Sequence, residues 1–326
     1  MIKAIRYGAL LSLCALLFCD LSMAADPLWL SSDPPKGSRR MGRSHGGPVE
    51  VRNGVHYKHL WLRQGEVPTE ATYVREIQEA PKLLLLDTAG KISEKGFEDK
   101  ARSGSLNASF PMPAEGFYNA YVTLQRLDGD VREVTIAKAE VLKHSCREGH
   151  DNIQEKMSPR HNGDIPLEIV RDRRPKEDFH ARLGYGDRVS FTVLRNGAPL
   201  PGARVVLTSG QGWSKGGLSD AAGQVEYAMI RDYYPPWNLF EKRHAQPYLV
   251  RAFYTVPQEG ELEGEPYRSI RYQASFSGNY YPSPNDYESY AYGLTFGLFA
   301  LVATGLGIYL YRQRRNRPYR EVRFHE

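Results

Sequence analysis

The chain has 326 residues, of which 25% are charged, and a formal net charge of +5. The basic excess lies at the two ends: residues 1–24 carry two basic and one acidic side chain, and residues 312–326 carry six basic and two acidic ones. The remainder is formally neutral. This argues against a nucleic-acid-binding surface, which needs a local excess of Lys and Arg.

The N-terminus has the three parts of a secretory signal. Two basic residues precede an apolar run over 7–18, and small residues end at Ala24. We therefore predict a signal peptide over 1–24, cleaved after Ala24. Lipid attachment at Cys19 is the weaker alternative, because the bulky Phe18 stands directly before it where a small side chain is needed.

Residues 290–311 carry no charge and reach the ~20 residues that a helix needs to cross a bilayer. Four arginines follow between 312 and 317, which predicts a cytoplasmic C-terminus. We expect a single-pass inner-membrane protein with a periplasmic N-terminal region. A buried core helix is disfavoured, because few soluble helices are apolar all round over this length. Gly293 and Gly297 form a G-x-x-x-G pattern that can support a homodimer.

Between the two ends the pattern is β. Short apolar runs alternate with Gly, Pro and Asp-Gly turn signals, and Val189, Phe191 and Val193 alternate with polar neighbours, as in a strand with one buried face. Asp128-Gly129 predicts a hairpin turn, Asn196-Gly197 predicts a tight turn, and 71–80 predicts a short helix. The fold class we predict is mainly β, with two β-sandwich (Ig-like) domains and one C-terminal transmembrane helix.

The predicted organisation has eight parts. They are a signal peptide (1–24), a flexible lead-in (25–48), an N-terminal β domain (49–143), a linker with a His/Cys cluster (144–164), an Ig-like β-sandwich (165–276), a stalk (277–289), a transmembrane helix (290–311) and a basic cytoplasmic tail (312–326).

The second β region resembles the DUF4198 family of periplasmic proteins over 165–254. The matching pieces are Pro166-Leu167-Glu168, Gly186-Asp187, Leu194 with Gly197-Ala198-Pro199-Leu200, Gly202-Ala203, and Asp220 with Gly223. The resemblance implies an Ig-like β domain and a role in uptake of nickel, cobalt and related metals. Family members commonly carry a histidine after the first mature alanine, whereas this chain has Asp26, so the N-terminal metal site of the family is not carried over.

A single cysteine remains after signal cleavage, so no internal disulfide can form. In an oxidising compartment this residue, Cys146, is either buried and inert, paired with another molecule, or a soft metal ligand. His144 and His150 lie close to it, and together they form an N/S set suited to zinc, copper(I) or, less typically, nickel and cobalt. The alternative is a polar linker whose cysteine is incidental.

Two further histidines are candidate metal ligands that could complete this set: His56, in a predicted strand, and His161, in a polar loop. Each stands alone in the sequence, and an exposed surface histidine is the alternative for both. Whether the cluster and either of them converge decides between a metal site and a splayed linker.

Aromatic residues are concentrated between 231 and 248 and near 213. We predict a partner-binding surface there, for a protein or a carbohydrate. The alternative is that the rings fold back to cap the end of the sandwich. The candidate residues are Trp213, Tyr233, Tyr234, Trp237 and Phe240.

No nucleophile elbow, HExxH motif or phosphate-binding loop occurs in the sequence, so we predict that the protein is not an enzyme. The first functional hypothesis is an accessory or metal-capturing component of transition-metal uptake that works with metal transporter subunits. The second is a non-catalytic envelope interaction module without a metal. Neither hypothesis involves nucleic acid.

Overall fold

The computed structural model describes residues 26–35, 42–44, 47–77, 81–98, 104–144, 153–233, 245–282, 284–316 and 324. Most of these residues are in β-strands. The strands are β1 (Leu28–Ser31), β2 (Gly42–Ser44), β3 (Gly47–Arg52), β4 (Val55–Gln64), β5 (Thr72–Tyr73), β6 (Lys82–Leu86), β7 (Ile92–Lys95), β8 (Phe97–Glu98), β9 (Asn107–Met112), β10 (Gly116–Asp128), β11 (Val131–Lys143), β12 (Glu168–Arg171), β13 (Arg188–Arg195), β14 (Ala198–Pro199), β15 (Arg204–Ser209), β16 (Ser214–Leu218), β17 (Gln224–Ala228), β18 (Gln246–Leu262) and β19 (Glu265–Tyr280). The helices are α1 (Ile153–Met157) and α2 (Pro284–Arg315).

Within the described residues the strands form three sheets. The central sheet has eight strands in the order β16-β15-β18-β19-β11-β10-β6-β7. A seven-stranded sheet contains β1 to β5, β8 and β9, and a four-stranded sheet contains β12, β13, β14 and β17. In the central sheet β11 and β19 pair in parallel, from Val131 beside Ser269 to Ala139 beside Ser277.

The middle strands β10 and β11 of the central sheet are buried on both faces over much of their length. On one face, Tyr118 and Ala139 pack with Leu60 and Phe110 of the seven-stranded sheet. On the other face, residues such as Phe276 pack against the four-stranded sheet, with the rings of Phe191 and Phe276 5.9 Å apart. Successive residues of a strand point to opposite faces, so a strand between two sheets needs small or apolar residues at both alternations.

The strands of the two predicted β domains meet in this one sheet. β10 and β11 come from the first predicted domain and β18 and β19 from the second, and they are neighbours through β11 and β19. The segment 144–164 therefore does not separate two independent pairs of sheets. The described residues up to 233, with 246–280, form one compact unit.

Turns occur where the sequence predicts them, but the β10–β11 turn lies one residue later than Asp128-Gly129. Asp128 pairs with Val131, so Gly129 and Asp130 form the two-residue turn of the β10–β11 hairpin. Asn196 and Gly197 have φ angles of 48° and 79° between β13 and β14, as a primed turn requires. Val189, Phe191 and Val193 are buried, whereas Ser190 and Thr192 are half-buried, which confirms the predicted alternation.

Three local predictions are wrong. The lead-in begins with a strand, β1, whose Trp29 and Leu30 are buried because these apolar side chains outweigh the polar composition around them. The segment predicted as a helix over 71–80 contains β5, paired with Arg63 and Gln64, and is not helical through 77. The predicted stalk is mostly regular, since β19 continues to Tyr280 and α2 begins at Pro284.

The helix α2 has the character of a membrane span. Its segment Tyr290–Arg315 is long and apolar enough to cross a bilayer, with a mean hydropathy of 1.8 in its most apolar window and none of that window buried. Phe296 and Leu301 are 77% and 74% exposed, which is unfavourable in water and favourable in lipid. The predicted signal peptide and most of the basic tail lie outside the described residues.

Candidate metal site

The open end of the β10–β11 hairpin brings together two side chains of types that can bind a metal ion. Gly116 pairs with Lys143 as the last pair of the ladder. The residues just beyond it, Glu115 and His144, therefore stand opposite each other. Nδ1 of His144 lies 3.5 Å from Oε1 of Glu115.

Both side chains are withdrawn from solvent. The His144 side chain is fully buried and that of Glu115 is 7% exposed. The ring of Phe179 packs on the His144 imidazole with centroids 4.7 Å apart, and the ring of His180 meets it edge-on at 5.0 Å. Nζ of Lys156 lies 3.4 Å from Oε2 of Glu115, so the second carboxylate oxygen has a cationic partner.

The distance between Nδ1 of His144 and Oε1 of Glu115 can be compared with the lengths of known interactions. A direct N–H···O hydrogen bond is normally 2.7–3.2 Å long, shorter than the 3.5 Å between His144 and Glu115. Two donors bound at about 2.0–2.1 Å around a tetrahedral zinc ion lie about 3.3 Å apart. The 3.5 Å separation is that of an ion pair when His144 is protonated, and it is also close to the spacing of two ligands that share one metal ion.

The described residues do not complete such a site. Among them, no group of three or more His, Cys, Asp and Glu side chains is arranged to hold a metal ion. A full set needs at least one donor from elsewhere. Cys146 and His150, which follow His144 by two and six positions, lie outside the described residues.

The other two predicted metal ligands lie elsewhere in the fold. His56 is in β4, opposite Met112 of β9, and its Nδ1 is buried without a hydrogen-bond partner among the described residues. His161 is exposed and approaches the turn glycine Gly197. A second histidine of β4, His59, is buried, and its Nε2 lies 3.1 Å from Oε2 of Glu50.

Sequence reasoning missed Glu115 and His180. Glu115 was missed because the turn lies one residue later than predicted. A two-residue turn at Asp128-Gly129 would place Pro113 opposite His144, whereas the turn at Gly129-Asp130 places Glu115 there. His180 lies between β12 and β13, and no local pattern indicates that this segment returns to the end of the hairpin.

The predicted partner-binding surface is described only in part. Trp213 is half-buried and packs against the core between the central and four-stranded sheets. The carbonyl of Tyr233 accepts a hydrogen bond from the hydroxyl of Tyr185 at 3.0 Å. Tyr234, Trp237 and Phe240 lie outside the described residues. The packing of Trp213 is that of a ring that caps the core.

No protein family model matches the sequence, and no curated protein matches it. Among solved structures, a 1.5-MDa bacterial ice-binding adhesin is similar at 10% identity over 80% of this chain and 66% of that chain, with a TM-score of 0.21. A two fibronectin type III domain segment of chicken tenascin is similar at 10% identity over 69% of this chain and 95% of that one, with a TM-score of 0.18. A tetra-tandem repeat from the extending region of a large adhesion protein is similar at 11% identity over 78% of this chain and 49% of that chain, with a TM-score of 0.18. Likenesses at these scores are too weak to indicate a shared fold or function.

Proposed function

We propose that the protein is a membrane-anchored periplasmic component that captures a transition metal ion for uptake by a transporter. The observation that carries this proposal is the buried pair of Glu115 and His144, whose ligating atoms are 3.5 Å apart at the start of the His144–His150 segment. The resemblance of the second β region to the DUF4198 family, with its Ig-like domain, supports the same class of function.

The donor set determines which ions fit. An imidazole nitrogen of His144 and a carboxylate oxygen of Glu115 would be joined by the thiolate of Cys146 and the imidazole of His150. Nitrogen and sulfur donors suit zinc and copper(I), and less typically nickel and cobalt. Phe179 and Lys156 would form the surrounding shell, which fixes ligand orientation and limits water access.

The anchor gives the site its place in the cell. The apolar helix α2 would hold the protein in the inner membrane, with the arginines at its end in the cytoplasm and the β region in the periplasm. A metal site there would meet ions that have crossed the outer envelope, before a transporter moves them inward.

The test is a calorimetric titration of the full-length protein in detergent micelles under reducing conditions with nickel, cobalt, zinc and copper(I). We expect one ion to bind with 1:1 stoichiometry, and Glu115→Gln, Cys146→Ser and His150→Ala each to weaken it by about tenfold or more, the usual effect of losing one ligand or its support. Glu94→Gln is the matched control, because Glu94 is an exposed carboxylate in β7.

His56→Ala and His161→Ala test whether either histidine belongs to the ligand set as well. A loss of affinity in either variant would place that histidine in the set, and unchanged affinity in both would leave Glu115, His144, Cys146 and His150 as the ligands. Absence of binding for all four ions would contradict the proposal. It would leave the second hypothesis, an envelope interaction module without a metal, as the account of this protein.

A further inference from the structure

A cavity of about 400 Å³ lies between the central sheet and the first residues of the seven-stranded sheet. Its floor is formed by β10, β11, β18 and β19, and its opposite wall by the start of β1, the end of β4 and the segment 74–77. The volume falls within the ~300–1,000 Å³ range of small-molecule sites. None of the lining residues belongs to the candidate metal site.

The floor carries two guanidinium groups around one carboxylate. Glu133 accepts from Nε of Arg126 at 2.7 Å through one oxygen and from Nη1 of Arg271 at 2.7 Å through the other. Nη2 of Arg126 also reaches Glu133 at 2.5 Å, and Nη1 of Arg271 lies 3.9 Å from Asp128. Each guanidinium has five N–H donors, so both arginines retain N–H groups that no described residue binds. This floor can accept a carboxylate in a charge-assisted contact.

The opposite wall carries charge of the other sign. Asp26 and Glu76 line the same cavity, and both are exposed at its rim. These carboxylates would repel a simple anion that approached the arginines and would attract an ammonium group. The two walls together favour a ligand that carries both charges.

Three polar side chains in the cavity have hydrogen-bonding capacity to spare. Gln64, Thr135 and Gln273 are half-buried, and their side chains make no hydrogen bond to any residue that the structure describes. A purely apolar ligand would bury these groups without partners, which is costly. A ligand with amide or carboxyl groups would satisfy them. Apolar side chains complete the lining: Leu28, Val74, Ile77, Leu124 and Phe253.

We propose that this cavity binds a small zwitterion of the amino acid or dipeptide class, with a free amino group and a free carboxyl group. The carboxylate contacts Arg126 and Arg271, and the ammonium group faces Asp26 and Glu76. The glutamine amides contact the peptide unit, and the apolar lining receives the side chain.

The test uses glycyl-L-leucine with the full-length protein in micelles, followed by ligand-observed NMR and calorimetry. We expect saturable binding, and we expect N-acetyl-glycyl-leucine and glycyl-leucine amide each to bind about tenfold or more weakly, because each has lost one charged contact. Equal binding of the blocked peptides would overturn the zwitterion assignment. Absence of binding by glycyl-leucine would overturn the proposal as a whole.

Two variants place the ligand in this cavity. Arg126→Gln removes a half-exposed guanidinium while Glu133 keeps Arg271 as a partner, and Gln273→Leu removes an amide at nearly constant volume. Both are expected to weaken glycyl-leucine binding by about tenfold. The controls Arg188→Gln and Gln224→Leu change exposed residues outside the cavity and are expected to bind as the unaltered protein does. Unaltered binding by both cavity variants would overturn the assignment to this cavity.

Discussion

Nζ of Lys138 lies 2.7 Å from Oε1 of Glu168, and the two side chains are 2% and 1% exposed. Lys138 is in β11 of the central sheet and Glu168 begins β12 of the four-stranded sheet. The same carboxylate accepts from the hydroxyl of Tyr121 at 2.8 Å and from the backbone N–H of Asn162 at 3.0 Å. This buried network ties residues on either side of the 144–164 segment into one core.

Loss of one partner from this network is expected to lower the stability of the fold. Lys138→Met leaves a buried carboxylate without its cation, and we expect the free energy of unfolding to fall by about 3–5 kcal/mol. Denaturant titration of the full-length protein in micelles measures it. Lys82→Met, in an exposed pair with Glu94, is the control, with an expected change of about 0–1 kcal/mol.

The double variant Lys138→Met/Glu168→Leu distinguishes the lost charge pair from a simple packing defect. Replacing both ions by apolar side chains removes the uncompensated charge, so we expect the double variant to be more stable than Lys138→Met alone. A double variant less stable than either single one would contradict this explanation.

A tight turn makes Gly223 intolerant of a side chain. Its φ is +75°, and a Cβ there would lie 2.7 Å from the Val193 carbonyl oxygen and 3.0 Å from the Leu200 nitrogen. Gly223→Ala is therefore expected to lower the melting temperature well below that of Gly264→Ala. Gly264 has a similar φ of +88° but open space around it, so its substitution carries only the backbone cost of about 1–2 kcal/mol. Equal melting temperatures would contradict the steric account.

Buried Lys58 is expected to make stability depend on pH. Its side chain in β4 is fully buried, with Nζ 3.3 Å from the Pro48 carbonyl oxygen, and burial lowers its pKa from 10.5 to about 7, although the charge of Asp33 opposes this shift. At pH values between about 7 and 10.5, Lys58 binds a proton in the unfolded chain but not in the folded chain. Stability from this residue therefore rises as pH increases from about 7 towards 10.5.

Lys58→Met removes that proton linkage. We expect the variant to gain melting temperature relative to the unaltered protein at pH 7, and the difference to shrink as pH rises to 9. Lys82→Met, at an exposed position, should show no such trend. A constant difference for Lys58→Met across this range would show that Lys58 remains charged in the folded state.

The candidate membrane helix α2 carries two glycines in a G-x-x-x-G pattern that can support self-association. Gly293 and Gly297 have open space where a Cβ would stand, so a second helix can approach closely at this point. We expect crosslinking in membranes to yield a dimer that Gly293→Ile/Gly297→Ile reduces severalfold. Gly305→Ile/Gly307→Ile is the matched control in the same helix. Only monomer in the unaltered protein would remove the homodimer.

Turn and alternation signals predicted the structure around them, whereas the local prediction of a helix over 71–80 was wrong. The Asp128-Gly129 and Asn196-Gly197 turns, and the alternation around Phe191, follow from chemistry within a few residues. The parallel pairing of β11 with β19 could not be found in this way. It pairs Val131 with Ser269, and no local pattern specifies which distant strand will pair with the edge of the β10–β11 hairpin.

The prediction of two separate domains has the same cause. No local pattern indicated that β11 of the first predicted domain pairs with β19 of the second. In β11 the even positions Val134 and Ile136 face one sheet, and the odd positions Ala137 and Ala139 face the other. A strand that is apolar at both alternations is typical of a sheet packed between two others. The sequence does not identify which strands form the two sheets that cover it. The candidate site was likewise only half predicted. His144 was recognised with its cysteine. Glu115 was missed because the hairpin turn lies one residue later than predicted, and His180 was missed because no local pattern links it to the hairpin.

The most direct test of the central claim is the electronic spectrum of the full-length protein titrated with cobalt(II) under reducing conditions. Metal capture at the His144–His150 segment predicts a cobalt–thiolate charge-transfer band in the near ultraviolet that saturates at one equivalent. The same account predicts that Cys146→Ser abolishes this band and that Glu115→Gln weakens or shifts the visible absorption. A spectrum that remains that of hydrated cobalt, or a band that persists in Cys146→Ser, would contradict the account.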